Sequence, residues 1–322
     1  MKRRACLGLL LLAGFSAAAT ANAAGYPGKM VRIVVPSIAG SAPDIIARQV
    51  AERLTATWKQ QVIVENRPGG NGIVAMSALR QSAPDGYTLG LFHAAAAVIT
   101  PMMYKEAKFD IQRDTEVAAT LAYTPMMFVA DPKAGYQSLA DVLKAGKARP
   151  DDITIGSPTR GSVPHLTAEM MGQLQKTKFR QVSFSGTTQA IQAVVKGDVP
   201  VYVDGIAPLV PLVRSGRLKA LAVTSDTALP GLDGIPLAKD VAPGLVAKGW
   251  FAMFAPKGTP VAVLDEINRA VSSSLAQPAF IERLKDLGTY PMAQGREQSA
   301  RFVQAEKVRW EKVIQDAGVK PE

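Results

Sequence analysis

Residues 31–50 combine a short β-branched run, a turn rich in helix-breaking residues and an apolar pattern at helical spacing. This order predicts a strand that feeds a helix, with Pro43 near the helix start. Such a turn directs free backbone N–H groups and the positive end of a helix dipole at one point, which favours an anion. Many strand-to-helix turns bind nothing, so a purely structural role stays open. The candidate ligand contacts in this turn are Ala39, Gly40, Ser41, Ala42 and Asp44.

The first 23 residues have the pattern of a secretory signal peptide. Residues 2–4 are basic, residues 7–18 are mostly apolar, and residues 21–23 read Ala-Asn-Ala, which suits a cleavage site. The apolar run is shorter than the roughly 20 residues of a membrane-spanning helix, and charges interrupt the later apolar runs. We therefore expect a soluble mature chain that is exported to the periplasm.

The side chains available for chemistry are few. Cys6 is the only cysteine and lies in the predicted signal peptide, which excludes disulfides, thiolate zinc sites and a cysteine nucleophile from the mature chain. No spacing typical of a metal site occurs, and we expect no metal and no cofactor. Residues 161–165 read Gly-Ser-Val-Pro-His, which is not the G-x-S-x-G of a nucleophile elbow. An exported serine hydrolase stays open only if a base lies near Ser162 or Ser41.

The net charge of +10 falls to +7 once the three basic residues of the predicted signal peptide are removed. The remaining lysines and arginines are scattered among acidic residues and form no dense cluster with aromatic residues. This pattern argues against nucleic acid as a partner and indicates a general attraction for small anions.

The first part of the chain predicts two successive β-α-β units. Strands are expected at residues 62–66 and 87–92, with a helix at residues 73–81 between them. This succession predicts a parallel sheet with right-handed crossovers. His93 follows the third strand, at the sheet edge where ligands of open α/β sheets bind. It either contacts a ligand or is a structural polar residue at the end of the sheet.

The middle of the chain repeats the plan of residues 31–50. A strand at residues 153–155 leads into a turn with hydroxyl groups and then into a helix from Leu166, and a later turn at residues 185–189 is similar. Asp204 ends a strand and either binds a ligand group or caps the helix expected near residues 207–213. The candidate ligand contacts in this block are Ser157, Thr159, Gly161, Ser162, His165, Ser185, Thr187 and Asp204.

Two continuous apolar segments, residues 125–132 and 249–256, lead into and out of the middle block. They predict two crossing strands that join two α/β lobes and act as a hinge. Residues 24–127 and 251–322 are assigned to lobe 1, and residues 128–250 to lobe 2. The helices expected after residue 260 are predicted to pack on lobe 1. Two lobes that each present a polar turn to one cleft indicate a receptor that binds an anion without transforming it.

Five segments resemble the Bug family, the extracytoplasmic solute receptors of tripartite tricarboxylate transporters. They are residues 62–70 (VIVENRPGG), 83–89 (APDGYTL), 161–166 (GSVPHL), 216–224 (GRLKALAVT) and 254–260 (FAPKGTP). The resemblance covers essentially the whole mature chain. It implies a two-lobed, type II-like periplasmic binding protein fold with a cleft that holds a carboxylate. It also implies delivery of the bound solute to membrane permease subunits. We expect a monomer, and a receptor that feeds a two-component sensor is an alternative within the same fold.

Three departures from the family pattern concern the ligand. Ser41 replaces the second glycine of the opening loop, residues 94–97 are all alanine where the family has serine and threonine, and residues 184–186 read Phe-Ser-Gly where Tyr-Arg-Gly is frequent. These changes predict a less polar cleft. The expected solute is a small-molecule carboxylate that is a monocarboxylate or has an apolar or aromatic body.

Overall fold

The computed structural model describes residues 25–321. The predicted signal peptide, residues 1–23, lies outside this part of the chain. Among the described residues, no helix is both long and apolar enough to cross a membrane.

Strands and helices alternate along most of the described chain, as expected for the predicted α/β class. The strands are β1 (Val31–Val35), β2 (Val62–Asn66), β3 (Thr88–His93), β4 (Thr115–Ala130), β5 (Thr154–Ser157), β6 (Arg180–Ser183), β7 (Val201–Gly205), β8 (Lys219–Val223), β9 (Lys248–Pro256) and β10 (Tyr290–Pro291). The α-helices are α1 (Ala42–Trp58), α2 (Ile73–Arg80), α3 (Thr100–Met103), α4 (Ile111–Asp114), α5 (Leu139–Ala148), α6 (Val163–Gln175), α7 (Thr187–Lys196), α8 (Ile206–Arg214), α9 (Ala238–Val241), α10 (Val261–Leu275), α11 (Pro278–Asp286) and α12 (Arg296–Asp316).

The first sheet is built around β1, which pairs in parallel with β2 and β3. Four of the five β1 residues are buried, because helices cover both faces of this part of the sheet. On one face, Ile33 packs with Ile46 of α1 and Ile267 of α10 in a single hydrophobic cluster. Burying each such side chain stabilises the fold by about 1.5–3 kcal/mol. This packing fixes the end of β1, and therefore the turn that leads into α1.

A two-stranded ribbon of β4 and β9 connects the two halves of the molecule. Thr115–Pro125 of β4 pair antiparallel with β9, whose other edge pairs with β3 of the first sheet. Met126–Ala130 of the same strand pair with β7 on one edge and β8 on the other. Of the two apolar segments predicted as crossing strands, residues 125–130 lie in β4 and residues 249–256 in β9, whereas residues 131 and 132 follow the end of β4. The sequence did not predict the first half of β4, residues 115–124.

The second sheet continues from the end of β4 through β7, β5 and β6. β5 pairs in parallel with both β6 and β7, so the turns that follow β5 and β7 lie at the same edge. Tyr202 of β7 is fully buried with Met127 and Val129 of β4. The second sheet therefore carries the start of α6 and the end of β7 to a common edge.

The last helix, α12, contacts both halves of the molecule. It packs on β4 and also on α6, where Gln173 Nε2 donates a hydrogen bond to the Val313 carbonyl at 2.8 Å. Glu306 of α12 lies between two buried tryptophans, and its Oε2 accepts from Trp250 Nε1 at 3.1 Å and from Trp310 Nε1 at 3.2 Å. Burial raises the pKa of the Glu306 carboxyl above its usual value, against the opposing charge of Arg309. The C-terminal helix thus does not pack on the first half alone.

Candidate functional site

Asp44 closes the loop between β1 and α1 on itself. Its Oδ2 accepts hydrogen bonds from the Gly40 amide at 2.8 Å and from Arg48 Nε at 3.0 Å, and its Oδ1 accepts from Asn66 Nδ2 at 2.8 Å. Burial alone would raise the pKa of the Asp44 carboxyl, but these hydrogen bonds and the Arg48 charge hold it below its usual value. Gly40 has a φ of +81°, in the left-handed region that glycine adopts without strain. Gly40 and Asp44 therefore shape the loop, and the Gly40 amide and the Asp44 carboxylate are already paired within it.

Ala42 supplies the first amide of α1. Ser41 is the N-cap residue, but its hydroxyl donates to the Ile38 carbonyl at 2.7 Å and caps no helix amide. The first amides of a helix have no partner inside the helix, and Pro43 at the second position has no amide hydrogen. Ala42 and Pro43 line the cleft described below. Ala39 is exposed and does not line it.

The loop before α6 has the same arrangement as the loop before α1. The Gly161 amide donates to His165 Nδ1 at 3.4 Å, and Gly161 has a φ of +74°. The Ser162 hydroxyl accepts from the His165 amide at 3.3 Å and donates to the Thr159 carbonyl at 2.6 Å. Burial, together with the charge of Arg160, lowers the pKa of His165 to about 4, so the ring is neutral at neutral pH. His165 thus takes the place that Asp44 has in the first loop.

Two adjoining cavities of about 450 Å³ and about 290 Å³ separate the two halves. Both are lined by His93, Ala95 and Ser162, so they form one continuous cleft. The larger cavity lies at the starts of both α1 and α6, because Ala42 and Val163 line it together. The predicted residues that line the cleft are Ala42, His93, Thr159, Gly161, Ser162, Thr187 and Asp204.

His93 lies where the two cavities meet. Its Nδ1 accepts a hydrogen bond from the Ala96 amide at 3.3 Å, in the helical turn that follows β3. Burial lowers the pKa of His93 to about 4, so the ring is neutral and its Nε2 carries the hydrogen. His93 can therefore donate one hydrogen bond to a bound anion without bringing a positive charge.

Asp204 is buried at the end of β7 and lines the larger cavity. Its Oδ2 accepts from Tyr202 Oη at 2.6 Å and from Thr187 Oγ1 at 2.9 Å, and its Oδ1 accepts from the Gly205 amide at 2.7 Å. Burial raises the pKa of the Asp204 carboxyl despite these hydrogen bonds. The interpretation of Asp204 as a helix cap is wrong: α8 has Gly205 as its N-cap residue and no side-chain cap.

Several predicted residues do not line either cavity. They are Ala39, Gly40, Ser41, Asp44, Ser157, His165 and Ser185. Ser157 is fully buried, with its Oγ 3.2 Å from Ser183 Oγ. Ser185 is exposed, and Gln189 Oε1 accepts hydrogen bonds from both its amide and its hydroxyl. Ser41, Asp44, His165 and Ser185 instead make hydrogen bonds within the loops around the cleft.

Other lining residues were not predicted from the sequence. They are Pro36, Pro43, Asn71, Ala94, Ala95, Ile99, Thr100, Tyr104, Thr124, Met126, Arg160, Val163, Pro164, Gly205, Ala207, Gly249, Trp250, Phe251, Leu287 and Thr289. The apolar crossing segments gave a signal for Met126, Trp250 and Phe251, since strands that join two lobes also border the cleft between them. The alanine run gave a similar signal for Ala94 and Ala95. Nothing in the local pattern indicated Leu287 or Thr289, which reach the cleft through the turn between α11 and β10.

Residues 46–319 match the model of the tripartite tricarboxylate transporter family receptor. The chain belongs to this family. The resemblance to the Bug receptors is thereby confirmed, since BugT of Bordetella pertussis is 28% identical over 313 residues, 97% of this chain and 96% of BugT. A second relative, a UPF0065 protein of Bordetella bronchiseptica, is 32% identical over 301 residues, which cover 94% of this chain and 89% of that protein.

Solved structures with the same fold, among them the periplasmic binding protein BugD, confirm the predicted two-lobed periplasmic binding protein architecture. Rpa4515 of R. palustris with adipate has a TM-score of 0.78 and 27% identity, and the match covers 92% of this chain and 100% of that chain. MatC from Rhodopseudomonas palustris with bound malate has a TM-score of 0.73 and 29% identity, with 90% and 100% covered. The chain is therefore a solute-binding receptor of the tripartite tricarboxylate transporter receptor family.

Proposed function

We propose that this receptor is exported to the periplasm, captures an organic carboxylate in its interlobe cleft and delivers it to the membrane permease of a tripartite tricarboxylate transporter. Family membership supports the transport role. The adipate and malate bound to two structurally similar receptors support a carboxylate as the solute. The receptor acts as a monomer and needs no metal or cofactor.

One observation carries the proposal: the first residues of α1 and α6 line the same cavity. Each helix start brings an amide that has no partner inside its own helix, from Ala42 and from Val163. Two positive helix ends at one cavity favour an anion between them, and His93 adds a neutral N–H donor. Hydrogen bonds to a carboxylate are stronger than those to a neutral group, particularly once closure removes water.

The lining of the larger cavity supports a monocarboxylate with an apolar or aromatic body. Accessible apolar surface comes from Ala42, Pro43, Ala95, Ala207 and Leu287, and the lining residues include no lysine and no arginine within residues 25–321. Arg160 lines the adjoining smaller cavity. A single carboxylate at the helix starts would leave the rest of the solute in this apolar space.

We place the boundary between the lobes within the β4 and β9 ribbon, close to the assigned division at residues 127/128 and 250/251. The change of pairing partners between Pro125 and Met126 supports a division in this part of β4. Bending of the ribbon there would open and close the cleft.

The geometry around Ser162 does not favour the alternative of a serine hydrolase. The Ser162 hydroxyl donates to the Thr159 carbonyl. It accepts a hydrogen bond from the backbone amide of His165, not from the His165 ring. The His165 ring accepts from the Gly161 amide through Nδ1, and its Nε2 lies 3.8 Å from Glu169 Oε1. Neither ring nitrogen is therefore placed to act as a base for the Ser162 hydroxyl.

The test is a thermal-shift screen of the mature receptor against mono-, di- and tricarboxylates, followed by calorimetric titration of every acid that raises the melting temperature. We expect the tightest binding among monocarboxylates with an apolar or aromatic body. Binding confined to small polyhydroxylated tricarboxylates would contradict the solute class, and no shift with any acid would contradict carboxylate capture. Uptake of the bound acid by cells with and without the receptor gene tests the delivery step.

A further inference from the structure

The end of the larger cavity at Asp204 is rich in hydrogen-bond acceptors. Asp204 Oδ2 already accepts two hydrogen bonds, from Tyr202 and Thr187, whereas Oδ1 accepts one, from the Gly205 amide. A carboxylate oxygen can accept two, so Oδ1 retains capacity for a further donor. Asp204 lines the cavity together with Thr187 and Gly205, which places this capacity at the wall of the cleft.

The threonine hydroxyls at this cavity have no hydrogen left to offer a ligand. Thr124 Oγ1 donates to the Gly288 carbonyl at 3.0 Å, and Thr289 Oγ1 donates to the Leu284 carbonyl at 2.7 Å. Thr187 donates to Asp204 in the same way. A hydroxyl group has one hydrogen, so the threonine oxygens that face the cavity can act only as acceptors.

The start of α6 and His93 offer hydrogen-bond donors to the cavity. His93 Nε2 and the first amides of α1 and α6 are donors, and the Ser162 hydroxyl is committed to the Thr159 carbonyl. Among the side chains, His93 therefore offers a donor, whereas Asp204 and the threonine oxygens offer acceptors, and backbone amides lie near both because α7 and α8 begin beside Asp204. A ligand that matches both groups of side chains has an anion at one end and a hydrogen-bond donor at the other.

We propose that this receptor selects monocarboxylates that carry a hydroxyl, amide or ammonium donor at the end opposite the carboxylate, and that Asp204 is the residue that recognises this donor. The inference rests on the proposed capture of a carboxylate and specifies which carboxylates are preferred. Asp204 is a specificity residue here, because it contacts the part of the solute that differs between competing acids.

A second carboxylate at the Asp204 end would meet a full negative charge on Asp204, beside the uncapped amides at the starts of α7 and α8. Within the described residues no lysine or arginine lines the larger cavity, and Asp204 and the threonine oxygens would face the second anion. Like charges disfavour each other most where water is excluded. A neutral or cationic donor gains a charge-assisted hydrogen bond at the same place. The wall therefore discriminates against dicarboxylates as well as favouring donors.

The test is calorimetric titration of the mature receptor with two matched series of acids. One series is benzoate, para-hydroxybenzoate, para-aminobenzoate and terephthalate, and the other is hexanoate, ω-hydroxyhexanoate, ω-aminohexanoate and adipate. In at least one series, we expect the hydroxy or amino acid to bind about 10- to 100-fold more tightly than the unsubstituted acid. The dicarboxylate is expected to bind most weakly.

The Asp204→Asn variant tests whether Asp204 recognises the donor group of the ligand. The substitution removes the charge and brings an amide donor, so the advantage of the hydroxy and amino acids should fall and the relative affinity for the dicarboxylate should rise. Asp198→Asn is the matched control, because Asp198 is exposed and precedes β7 at its other end. It should leave the order of affinities unchanged. Circular dichroism and thermal unfolding verify that both variants fold.

The outcomes separate the two proposals. If the unsubstituted acid or the dicarboxylate binds as tightly as the donor-bearing acid, the inference about Asp204 is wrong while carboxylate capture stands. If no acid of the screen or of either series binds, carboxylate capture itself is wrong and the inference falls with it. The wild-type comparison alone decides these outcomes even if Asp204→Asn does not fold.

Discussion

Ser41 and Ser162 have nearly the same backbone conformation, with a φ of −75° in both and ψ values of 161° and 160°. Each precedes a helix whose second residue is proline, and each follows a glycine in the left-handed region. In each case that glycine donates its amide to the third helical side chain, which is Asp44 in one loop and His165 in the other. The two halves thus build the same turn, with a carboxylate in one and a neutral imidazole in the other.

Removing the first amide of either helix is expected to weaken ligand binding without breaking the helix. Proline is tolerated at the first helical position, and the extended conformation of Ser41 and Ser162 suits a following proline. Ala42→Pro and Val163→Pro should each cost about 1.5–3 kcal/mol of binding free energy, the contribution of a hydrogen bond to a charged group. Calorimetric titration with the tightest acid of the screen measures the change.

Val261→Pro is the matched control for these two variants. Val261 is the first residue of α10, is 58% exposed and follows the extended residue Pro260. It does not line either cavity of the cleft. Affinity should be unchanged in this variant, and equal affinity in Ala42→Pro and Val163→Pro would contradict the role of the two amides.

The two left-handed glycines are expected to differ in their tolerance of alanine. Both substitutions place a residue with a Cβ in the left-handed region, which costs about 1–2 kcal/mol of folding free energy. A Cβ at Gly40 meets nothing within 4 Å, whereas a Cβ at Gly161 would lie 3.3 Å from Met103 Cε. Gly161→Ala should therefore lower the free energy of unfolding by more than Gly40→Ala does. Denaturant unfolding of the two variants side by side provides the measurement, and equal losses would contradict the close contact with Met103.

His165 is expected to make the receptor less stable as the pH falls from neutrality. Its folded-state pKa of about 4 lies below the unfolded value of about 6.5, so the unfolded chain binds more protons in this window. Stability that is present above the unfolded pKa is therefore lost as the pH falls towards the folded one. His165→Asn keeps an acceptor for the Gly161 amide and does not titrate. Relative to this variant, the wild type should lose up to about 3 kcal/mol between about pH 7.5 and pH 4.

The readout for His165 is the difference between two unfolding curves at each pH. Contributions from His93 and from the carboxyl groups are present in both proteins and largely cancel. Parallel pH profiles for the wild type and His165→Asn would show that His165 is not held neutral by its surroundings.

Trp250 is expected to report ligand binding through its fluorescence. Its ring is fully buried beneath the wall of the larger cavity and its Nε1 donates to Glu306, so a ligand in the cavity changes the packing around the ring indirectly. Trp58 does not line either cavity and donates to Glu266. The emission change on titration with a binding acid should disappear in Trp250→Phe and persist in Trp58→Phe. Persistence in both variants would contradict the role of Trp250 as the reporter.

The sequence predicted those parts of the fold where a buried β-branched run meets helix-breaking residues. Residues 31–50 and the turn before Leu166 are such places, because a parallel strand is buried on both faces and its turn needs glycine and proline. The first half of β4 was not predicted. Its central residues, such as Ala118 and Ala119, are small, and the pairing of β4 with β9 contains two register shifts, so the sequence shows no strict period of two.

The sequence predicted which segments lie near the cleft more successfully than it predicted the hydrogen bonds of their side chains. Spacing placed Asp44 and His165 at helix starts, but it did not show that both side chains accept the amide of a preceding glycine. Asp204 illustrates the same limit: its carboxylate is held by Tyr202 and Thr187, and Thr187 is distant in sequence. Which groups a cleft leaves available depends on such pairings, and these become known only when the chain is folded.

The β4 and β9 ribbon has a mechanical consequence for the solute. Thr124 and Met126 of β4 and Gly249 and Trp250 of β9 belong to the strands that join the halves, and they also form part of the cavity wall. Flexing of the connection would therefore displace part of the cavity wall. With the proposed hinge, the angle between the halves and the shape of the cavity change together, so an acid that fits poorly would hold the receptor at a different angle from one that fits well.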